Sequence, residues 1–360
     1  MSTPEQPPSD PSNVTLRDWA PRSQVRADAH LVARAAVPCV DVHNHLGRWL
    51  TEDNSWMTPD VTAVLDVLDA CNVATVVNLD GRWGDELREN IERYDVAHPG
   101  RFVTFAHLDW SLLADPGGVE GVNRLVGSVA DARSAGARGL KVWKDLGLSV
   151  RDERGELVLP DAPQVAPVFE AASEHGLPVL IHTADPVAFF EPLDRHNERL
   201  EELTERPDWW FGRPGLPSFA RLMAALEGAV AAHPATTFIG AHVGCFAEDL
   251  RWVDGMLATY PNFHVDIGGR LPEIGRQPRA FRRLVEAHPR QVLFGTDGFP
   301  LDAPTYASCF RFIETEDESF AYAPGEDVPP MGRWDISGAG LPTNVLDGFY
   351  AGNAKRLLGL

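Results

Sequence analysis

The sequence has little of what marks a secreted, membrane or nucleic-acid-binding protein. Its 360 residues include only four cysteines, which lie far apart without a CxxC pair, so we predict reduced thiols rather than disulfides. No apolar run reaches the roughly 18 residues of a membrane span, and the polar, proline-rich start is unlike a secretory signal. A net charge of −20 argues against binding to nucleic acid or anionic membranes. These absences predict a soluble, cytoplasmic protein.

The length allows one large domain or two average ones. Apolar residues make up 44% of the chain, enough for a sizeable core. We expect a flexible N-terminal arm over residues 1–28, followed by a single domain over residues 29–360.

Short apolar runs alternate with longer segments of helical periodicity, which is the pattern of βα units around a parallel sheet. The predicted strands are 38–45, 74–80, 101–109, 137–143, 178–183, 236–242, 263–268 and 292–297. The predicted helical segments are 60–71, 85–98, 120–135, 161–175, 218–232, 247–259, 278–288 and 343–358. Helix C-terminal positions explain four histidines without a catalytic role: His98, His175, His233 and His288.

Eight such units predict an α/β fold, specifically a closed (β/α)8 TIM barrel. A doubly wound open sheet is the alternative, but no GxGxxG loop follows the first strand. Two connections, 184–217 after strand five and 298–342 after strand eight, are too long for simple links. On a barrel both would be elaborated loops on the active-site face.

The first strand carries Asp41, His43 and His45, spaced two residues apart. Residues i and i+2 of a strand point to one face, so we expect these three side chains to share a face. A single buried histidine is usually a hydrogen-bonded core residue. Two imidazoles beside a carboxylate are costly to bury unless a cation neutralises and orients them.

Three later strands also end in residues that can bind a metal: His182, His242 and Asp297. Barrel enzymes build their sites at these C-terminal strand ends. Imidazole and carboxylate ligands suit zinc, manganese, iron or cobalt. The constellation therefore predicts a divalent metal site.

The chain resembles the amidohydrolase superfamily, and within it amidohydrolase family 2, the TIM-barrel metal-dependent hydrolases related to aminocarboxymuconate semialdehyde decarboxylase. The resemblance covers roughly residues 38–360 and rests on DVHNH (41–45), GLKVWK (139–144), LIHTAD (180–185), FIGAHVG (238–244) and LFGTDGFP (293–300). It implies that a divalent metal, zinc before manganese, iron or cobalt, is bound by His43, His45, His182 and Asp297. It also implies catalytic roles for Asp297 and His242.

The resemblance leaves one ion or two open, and we favour one. In two-metal members a carboxylated lysine on strand four bridges the ions, and Lys141 lies at the matching position. His242 would then bind the second ion. In one-metal members His242 would act on the scissile group or the attacking water, and Lys141 would pair with Asp41 or a substrate carboxylate.

Three functions fit such a site. The first is hydrolysis of an amide, lactone or ester carbonyl in a small cyclic or aromatic substrate, with Asp297 accepting a proton from water. The alternative is non-oxidative decarboxylation of an aromatic or unsaturated acid. The third is a non-catalytic, metal-containing barrel, although the complete ligand set argues against it. Hydrolases outnumber lyases across the superfamily, so we rank hydrolysis first.

Side chains that follow the predicted strands supply candidates for substrate binding. We predict contacts from Arg48, Trp83, Trp143, Lys144, Asp185 and Arg270. Arg82 is a further candidate for holding a substrate carboxylate. Other residues lie near the site with roles left open: Asp41, Asp80, His107, Asp109, Asp185 and Asp266. A homodimer is possible through the loop after strand eight.

Overall fold

The computed structural model describes residues 10–15, 18–19, 21, 23–115, 118–298 and 301–360. Within these residues lie eight short, buried strands, and each overlaps a predicted one. They are β1 (Cys39–Asn44), β2 (Val73–Asn78), β3 (Phe102–Thr104), β4 (Leu140–Val142), β5 (Val179–Ile181), β6 (Phe238–Gly240), β7 (Phe263–Asp266) and β8 (Val292–Leu293).

Helices separate the strands, and the eight predicted helical segments are all represented. They are α1 (Val61–Cys71), α2 (Gly84–Ile91), α3 (Val119–Ala135), α4 (Asp145–Leu148), α5 (Ala166–Glu174), α6 (Leu200–Glu205), α7 (Phe219–Ala232), α8 (Ala241–Gly244), α9 (Leu250–Thr259), α10 (Leu271–Ile274), α11 (Pro278–Ala287), α12 (Ala303–Glu314), α13 (Thr343–Asp347) and α14 (Asn353–Leu358). The turns α4 and α8 contain non-helical residues. His175, His233 and His288 directly follow α5, α7 and α11, which confirms their predicted place at helix ends.

The strands run parallel, in the order β1-β2-β3 and β4-β5-β6-β7-β8. Backbone hydrogen bonds join the two groups at both junctions. A parallel bridge pairs Ala106, which follows β3, with Leu140 of β4. The N–H of Val42 in β1 donates to the carbonyl of Phe294, which follows β8, at 3.1 Å. The strands therefore follow one another around a (β/α)8 TIM barrel, as predicted.

The barrel interior is filled by apolar side chains from β1, β2, β3, β5, β6 and β8 or directly after them, and α14 adds to these. This interior cluster consists of Val40, Val42, Val77, Leu79, Val103, Phe105, Leu180, Ile239, Ala241, Leu293, Ala351, Ala354 and Leu358. A larger cluster packs the outer helices onto the strands. None of the helices in the described ranges is long and apolar enough to cross a membrane.

One helix inside the long connection after β8 was missed from the sequence. The Asp302 side chain accepts a hydrogen bond of 2.8 Å from the Thr305 N–H and starts α12. Phe310 of α12 stacks on Phe294, with ring centres 5.8 Å apart. Because α12 also contacts α1, it takes the position of the eighth barrel helix. The terminal segment 343–358 instead contributes to the interior cluster, and the elaborated loop is residues 315–342.

The expectation that Asp41 shares a face with His43 is wrong. Asp41 accepts hydrogen bonds from the Thr296 hydroxyl at 2.6 Å and from the Tyr306 hydroxyl of α12 at 2.9 Å. It therefore faces the outer helices. The β1–β2 register shifts between Asp41 and Asn44, and such an irregularity re-aims the side chains that follow it.

Part of the predicted N-terminal arm, namely residues 1–9, 16–17, 20 and 22, lies outside the described residues. The flexibility of the arm remains a prediction. Just after the arm, the His30 N–H donates to Asp317 at 2.8 Å. This bond ties the start of the barrel domain to the loop after α12.

Candidate metal centre

Three predicted ligands meet at the C-terminal end of the barrel. Nε2 of His43 and Nε2 of His45 lie 3.8 and 3.6 Å from the same carboxylate oxygen, Oδ1 of Asp297. Potential ligand atoms of these three residues all lie within 4.8 Å of one another. Two strand ends separated by about 250 residues in sequence thus present three donor atoms to one point.

The tautomers of both imidazoles are set by carboxylates. His43 Nδ1 donates to Asp266 Oδ2 at 3.0 Å, and His45 Nδ1 donates to Asp80 Oδ1 at 2.6 Å. Each bond leaves a lone pair on Nε2, on the side of Asp297. Carboxylate–histidine pairs of this kind orient the ligands of protein metal sites.

Burial keeps this centre in the protonation state that binds metal. Burial lowers the pKa of His43 well below its usual value, so its ring is neutral. Burial also raises the pKa of Asp266 to about 6. At Asp80 burial acts in the same direction, but the charge and hydrogen bond of His45 outweigh it and lower the pKa of Asp80. Neutral imidazole and ionised carboxylate are the ligand forms that a divalent ion requires.

His182 lies beside this group with an unused nitrogen. Its Nε2 donates to Asp185 Oδ1 at 3.2 Å, and its Nδ1 is buried with no hydrogen-bond partner among the described residues. Burial lowers the pKa of His182 to about 3. The buried lone pair on Nδ1 needs a donor or a cation. His182 belongs to neither metal-type cluster of the described residues, although its ring centre lies 4.4 Å from that of His242.

His242 is a neutral acceptor in this arrangement. Its Nδ1 donates to the Gly268 carbonyl at 2.7 Å, which leaves the lone pair on Nε2. Burial lowers the pKa of His242 well below its usual value. Together with His43 and Asp266 it forms the second group of possible ligand atoms. The geometry thus accommodates the predicted catalytic role of His242 and its predicted role at a second ion.

The backbone is strained at two of these residues. His242 and Asp297 adopt positive φ angles of 59° and 53°, which typically costs a non-glycine residue about 1–3 kcal/mol. Glycines leave space beside them. A Cβ on Gly268 would lie 2.9 Å from His43 Cγ, and one on Gly269 would lie 3.0 Å from Asp297 Oδ2. Strain held by such close packing is typical of functional sites.

Lys141 points from β4 into the barrel towards the ligands. Its Nζ lies 3.5 Å from His43 Nε2 and 5.4 Å from the centre of the Trp143 ring. Burial lowers the pKa of Lys141 to about 8. The structure therefore brings this lysine to the centre, where it could bridge two ions or pair with a substrate carboxylate. The predicted pairing of Lys141 with Asp41 is wrong, because Asp41 faces the outer helices.

Of the predicted substrate contacts, Trp143, Lys144 and Asp185 lie together at the rim of the centre. The Trp143 ring lies 5.6 Å from that of His45 and 5.2 Å from that of His182. The Lys144 ammonium pairs with Asp185 Oδ2, so both oxygens of Asp185 have protein partners. This places Asp185 as an orienting partner of His182, parallel to Asp80 and Asp266.

The remaining predicted contacts are more scattered. Arg270 is buried, and its Nη1 donates to the Gly269 carbonyl at 2.7 Å. Trp83 lies under the guanidinium of Arg82, and the Cζ atom of Arg82 is 4.0 Å from the centre of the Trp83 ring. Arg48 is not brought to the ligands: it pairs with Glu89 and lies over the Trp56 ring.

Sequence reasoning left three orienting side chains without a role. Asp80 and Asp266 were placed near the site because they end strands two and seven, yet the histidine that each carboxylate holds was not predicted. Trp49 donates from Nε1 to Asp80 Oδ1 at 2.6 Å. The signal for the carboxylates was their position at strand ends, and the signal for Trp49 was only its place in the loop after β1.

A cavity of about 380 Å³ lies next to this centre, on the side of β2, β3 and β4. Lys141 and Trp143 form its inner end, so it borders the ligand group. Its other lining residues include Trp49, Arg82, Trp83, His107, Trp110 and Asp145. This volume is in the range of small-molecule sites.

Comparison with known families identifies the class of this protein. A family profile described as Amidohydrolase matches residues 40–360, and the chain therefore belongs to that metal-dependent family. The His and Asp clusters fit a divalent metal ion. No curated protein matches the sequence.

Solved structures with the same fold include enzymes of two reaction types. A 2,6-dihydroxybenzoate decarboxylase bound to 2,6-dihydroxybenzoate is 16% identical, with TM-score 0.55, covering 90% of this chain and 100% of its own. A dihydroxybenzoic acid decarboxylase from Polaromonas sp. JS666, with manganese and 2-nitroresorcinol, is 14% identical, with TM-score 0.55 and coverages of 90% and 97%. A probable 2-pyrone-4,6-dicarboxylic acid hydrolase from Acinetobacter baumannii is 12% identical, with TM-score 0.50 and coverages of 90% and 100%. At these identities the likeness shows the fold alone.

Proposed function

We propose that this chain is a metal-dependent hydrolase of small cyclic or aromatic substrates. One divalent ion, zinc before manganese, iron or cobalt, would be held by His43, His45 and Asp297, with His182 Nδ1 as the fourth donor. Two observations support this ligand set. The Nε2 lone pairs of His43 and His45 face Asp297, and the Nδ1 atom of His182 is buried without a partner among the described residues.

The exposure of Asp297 carries the proposal. The Asp297 side chain is 25% exposed, whereas those of His43, His45 and His242 are at most 4% exposed. Asp297 is thus the member of the group that meets solvent and substrate. One oxygen faces the imidazoles, and the other lies 3.9 Å from His242 Nδ1. A carboxylate so placed can accept a proton from water and return it to the leaving group.

A divalent ion at these ligands supplies an acidified water and polarises a carbonyl oxygen. The residues of the chain provide the rest of the chemistry. Asp297 accepts and returns the proton, and the neutral His242 offers Nε2 as a second proton acceptor beside it. Once protonated, His242 can donate to an oxygen that becomes negative during the reaction. The buried walls around both groups strengthen these interactions, because water is excluded there.

A second candidate function, non-oxidative decarboxylation, is favoured by the cations near the ligands. The Lys141 ammonium lies 3.5 Å from His43 Nε2, and Arg270 is buried close enough to lower the pKa of His242, after burial itself and the charge of His182. Either cation can hold a substrate carboxylate. Asp297 or a protonated His242 would then deliver a proton to the carbon that loses CO2. Two relatives in fold are named as decarboxylases.

One alternative and three further predictions accompany this proposal. A non-catalytic metal-containing barrel is the third alternative, and the exposed Asp297 among buried ligands argues against it. A homodimer through the loop after α12 remains a prediction, as does the absence of nucleic-acid and membrane partners. Cytoplasmic location is likewise proposed from composition.

A substrate panel tests the reaction directly. Metal-loaded protein is assayed with lactones, esters and amides by acid release, and with aromatic carboxylic acids by CO2 release. We expect acid release, lost in Asp297→Asn and retained in Arg88→Gln, an exposed control outside the site. CO2 release without acid release would overturn the hydrolase in favour of the lyase. No turnover of any substrate by ion-loaded protein would favour the non-catalytic barrel.

A further inference from the structure

The cavity beside the metal centre has walls of unusual composition. Four of the ten tryptophans of the chain line it: Trp49, Trp83, Trp110 and Trp143. Indole faces provide flat, apolar contact area and suit a planar ring. The cavity therefore offers indole faces suited to a ring, and five charged side chains also line it: Arg82, Asp109, Lys141, Asp145 and Arg151.

Arg82 is the charged group that these walls hold in place. Its Cζ lies 4.0 Å from the centre of the Trp83 ring and 5.0 Å from that of Trp49. Two cation–π contacts thus fix the guanidinium. Its side-chain hydrogen bond goes to His107 Nδ1, at 3.5 Å, and His107 is itself fixed by donating from Nε2 to the Leu79 carbonyl at 2.6 Å.

Among the described residues the guanidinium has no carboxylate at ion-pair distance, although four carboxylate charges act on it from farther away: Glu86, Asp145, Asp80 and Asp109. Across the ranges that the structure describes, Arg82 forms no ion pair, whereas the neighbouring Arg48 and Arg88 pair with Glu89 and Asp85. A positioned, half-buried arginine with free N–H groups is suited to bidentate binding of a carboxylate. The guanidinium therefore lines the cavity without a close ion pair to a carboxylate of the described residues.

The backbone at Arg82 is also strained. Its φ angle is 58°, in the left-handed region that favours glycine or asparagine. Its carbonyl accepts a hydrogen bond from the His107 N–H at 2.9 Å, which holds this conformation. Backbone strain at a residue that forms no ion pair indicates that the conformation is kept for function and not for stability.

The cavity leads from Arg82 to the reaction centre. Lys141 lines its inner end and lies 3.5 Å from His43 Nε2. A ring lying between the tryptophans would therefore have one edge at the metal ligands and the other towards Arg82. The two ends differ, because the inner end borders the proposed catalytic groups, whereas Arg82, fixed by its ring contacts, lies on the outer wall, which Arg151 also lines.

We propose that Arg82 binds an anionic substituent on the far side of a planar, ring-containing substrate, and so determines specificity. This proposal rests on the proposed function, since it assumes that the reacting group lies at His43, His45 and Asp297. It assigns the substrate to the class of cyclic or aromatic compounds that carry a carboxylate besides the group that reacts.

Binding of two non-reacting probes tests the proposal. Benzene-1,3-dicarboxylate and 3-carbamoylbenzoate have nearly the same shape but differ by one charge. We expect ion-loaded wild-type protein to bind the dicarboxylate about tenfold or more tightly, the effect of one charge-assisted hydrogen-bonded pair. Dissociation constants can be measured by calorimetry or by quenching of tryptophan fluorescence. In Arg82→Asn the preference should fall to about twofold or less, because the guanidinium is gone.

Asparagine is chosen because it tolerates a positive φ angle. The unfolding midpoint of Arg82→Asn should therefore stay within about 2 °C of the wild type. Arg82→Lys keeps the positive charge but lacks the paired N–H donors of the guanidinium, and should keep only part of the preference for the dicarboxylate. Arg88→Asn, on the exposed face of α2, is the matched control and should change nothing.

The outcomes separate the two proposals. Protein that binds no ion contradicts the proposed function whatever the probes do. Ion-loaded wild-type protein with no preference, or Arg82→Asn with the full preference, would overturn the role of Arg82. Loss of the preference together with a fall of more than about 5 °C in the unfolding midpoint would mean that Arg82 stabilises the fold and does not determine specificity. If Arg82→Asn does not fold, full preference in Arg82→Lys would overturn bidentate recognition.

Discussion

Two buried polar clusters of this protein look alike in composition and differ in charge balance. One is the metal centre; the other, which we call the loop latch, consists of Arg199, Glu202 and Glu273. In the latch Arg199 pairs with Glu202 at 2.7 Å and with Glu273. Glu273 raises the pKa of Arg199 in spite of its burial, so the positive charge is part of the protein.

The metal centre lacks such an internal balance. Its orienting carboxylates face imidazoles, and burial keeps the ring of His43 neutral. Lone pairs therefore converge on a point beside Asp297, and negative charge is left for a cation to neutralise. The comparison shows that burial of polar groups does not by itself mark a site. What marks it is a set of oriented lone pairs that converge beside Asp297, where the charge of Lys141 does not balance three carboxylates: Asp80, Asp266 and Asp297.

The latch also explains how the long loops are held over the barrel. Arg199 precedes α6 in the loop after β5, and Glu273 lies in α10 after β7. Arg276 extends the contact, since its Cζ lies 4.1 Å from the Trp334 ring in the loop after α12. We propose that the latch serves stability and the metal centre serves chemistry, and substitutions should separate the two.

The largest effect is expected at the centre itself. His43→Ala removes one ligand and its contact with Asp266, and should abolish metal binding and lower kcat/KM by about a thousandfold or more, because the ion supplies several kcal/mol. Metal content by elemental analysis and turnover are measured together, with circular dichroism to check the fold. A variant that keeps full metal and full activity would remove His43 from the ligand set.

The next effect should appear at the latch, in stability and not in metal content. Arg199→Met leaves Glu273 buried without its cation, and should lower the free energy of unfolding by about 3–5 kcal/mol. Arg199→Met with Glu273→Met should recover much of that loss. Denaturant unfolding measures both. A single variant that loses metal while keeping its stability would contradict the distinction between the two clusters.

A smaller effect is expected where a carboxylate orients a ligand. Asp80→Asn keeps the size of the side chain but removes the charge that holds His45, and should weaken metal affinity about 10- to 100-fold. Competition with a chelator gives the affinity. Asp85→Asn, an exposed carboxylate on α2, is the control. Equal affinities for the two variants would mean that Asp80 does not support the site.

The smallest effect concerns Asp145 on the cavity wall. Burial raises its pKa from 3.8 to about 6, so the folded state retains a proton that the unfolded state has released. The stability from this group is full below about pH 4 and is lost as the pH rises through about 6. Asp145→Asn should therefore be more stable than the wild type by roughly 1–3 kcal/mol at pH 7.5. Unfolding midpoints from pH 5 to pH 8 should show this gain increasing with pH and then levelling off, and a constant gain would contradict it.

Much of the fold and the meeting of His43, His45 and Asp297 followed from the sequence. Alternating apolar runs and helical segments specify a barrel, and parallel strands bring their C-terminal ends to one face. Residues at those ends must then lie near one another, however far apart they are in the chain.

The rest depends on details that sequence patterns do not encode. Because of the register shift between Asp41 and Asn44, His43 faces the ligand group while Asp41 faces Tyr306. Whether Arg48 reaches the site or pairs with Glu89 depends on the course of a loop. The helix α12 had a start signal in Asp302 and a proline at its first turn, but its aromatic residues obscured its helical periodicity.

Metal content per chain tests the central claim most directly. Protein purified without added metal or chelator is analysed for its elements, then stripped and titrated with zinc, manganese, iron and cobalt. We predict about one equivalent, lost in His43→Ala and retained in Arg199→Met. Two equivalents would place Lys141 and His242 at a second ion. No metal, with no rebinding of any of the four ions, would contradict the account.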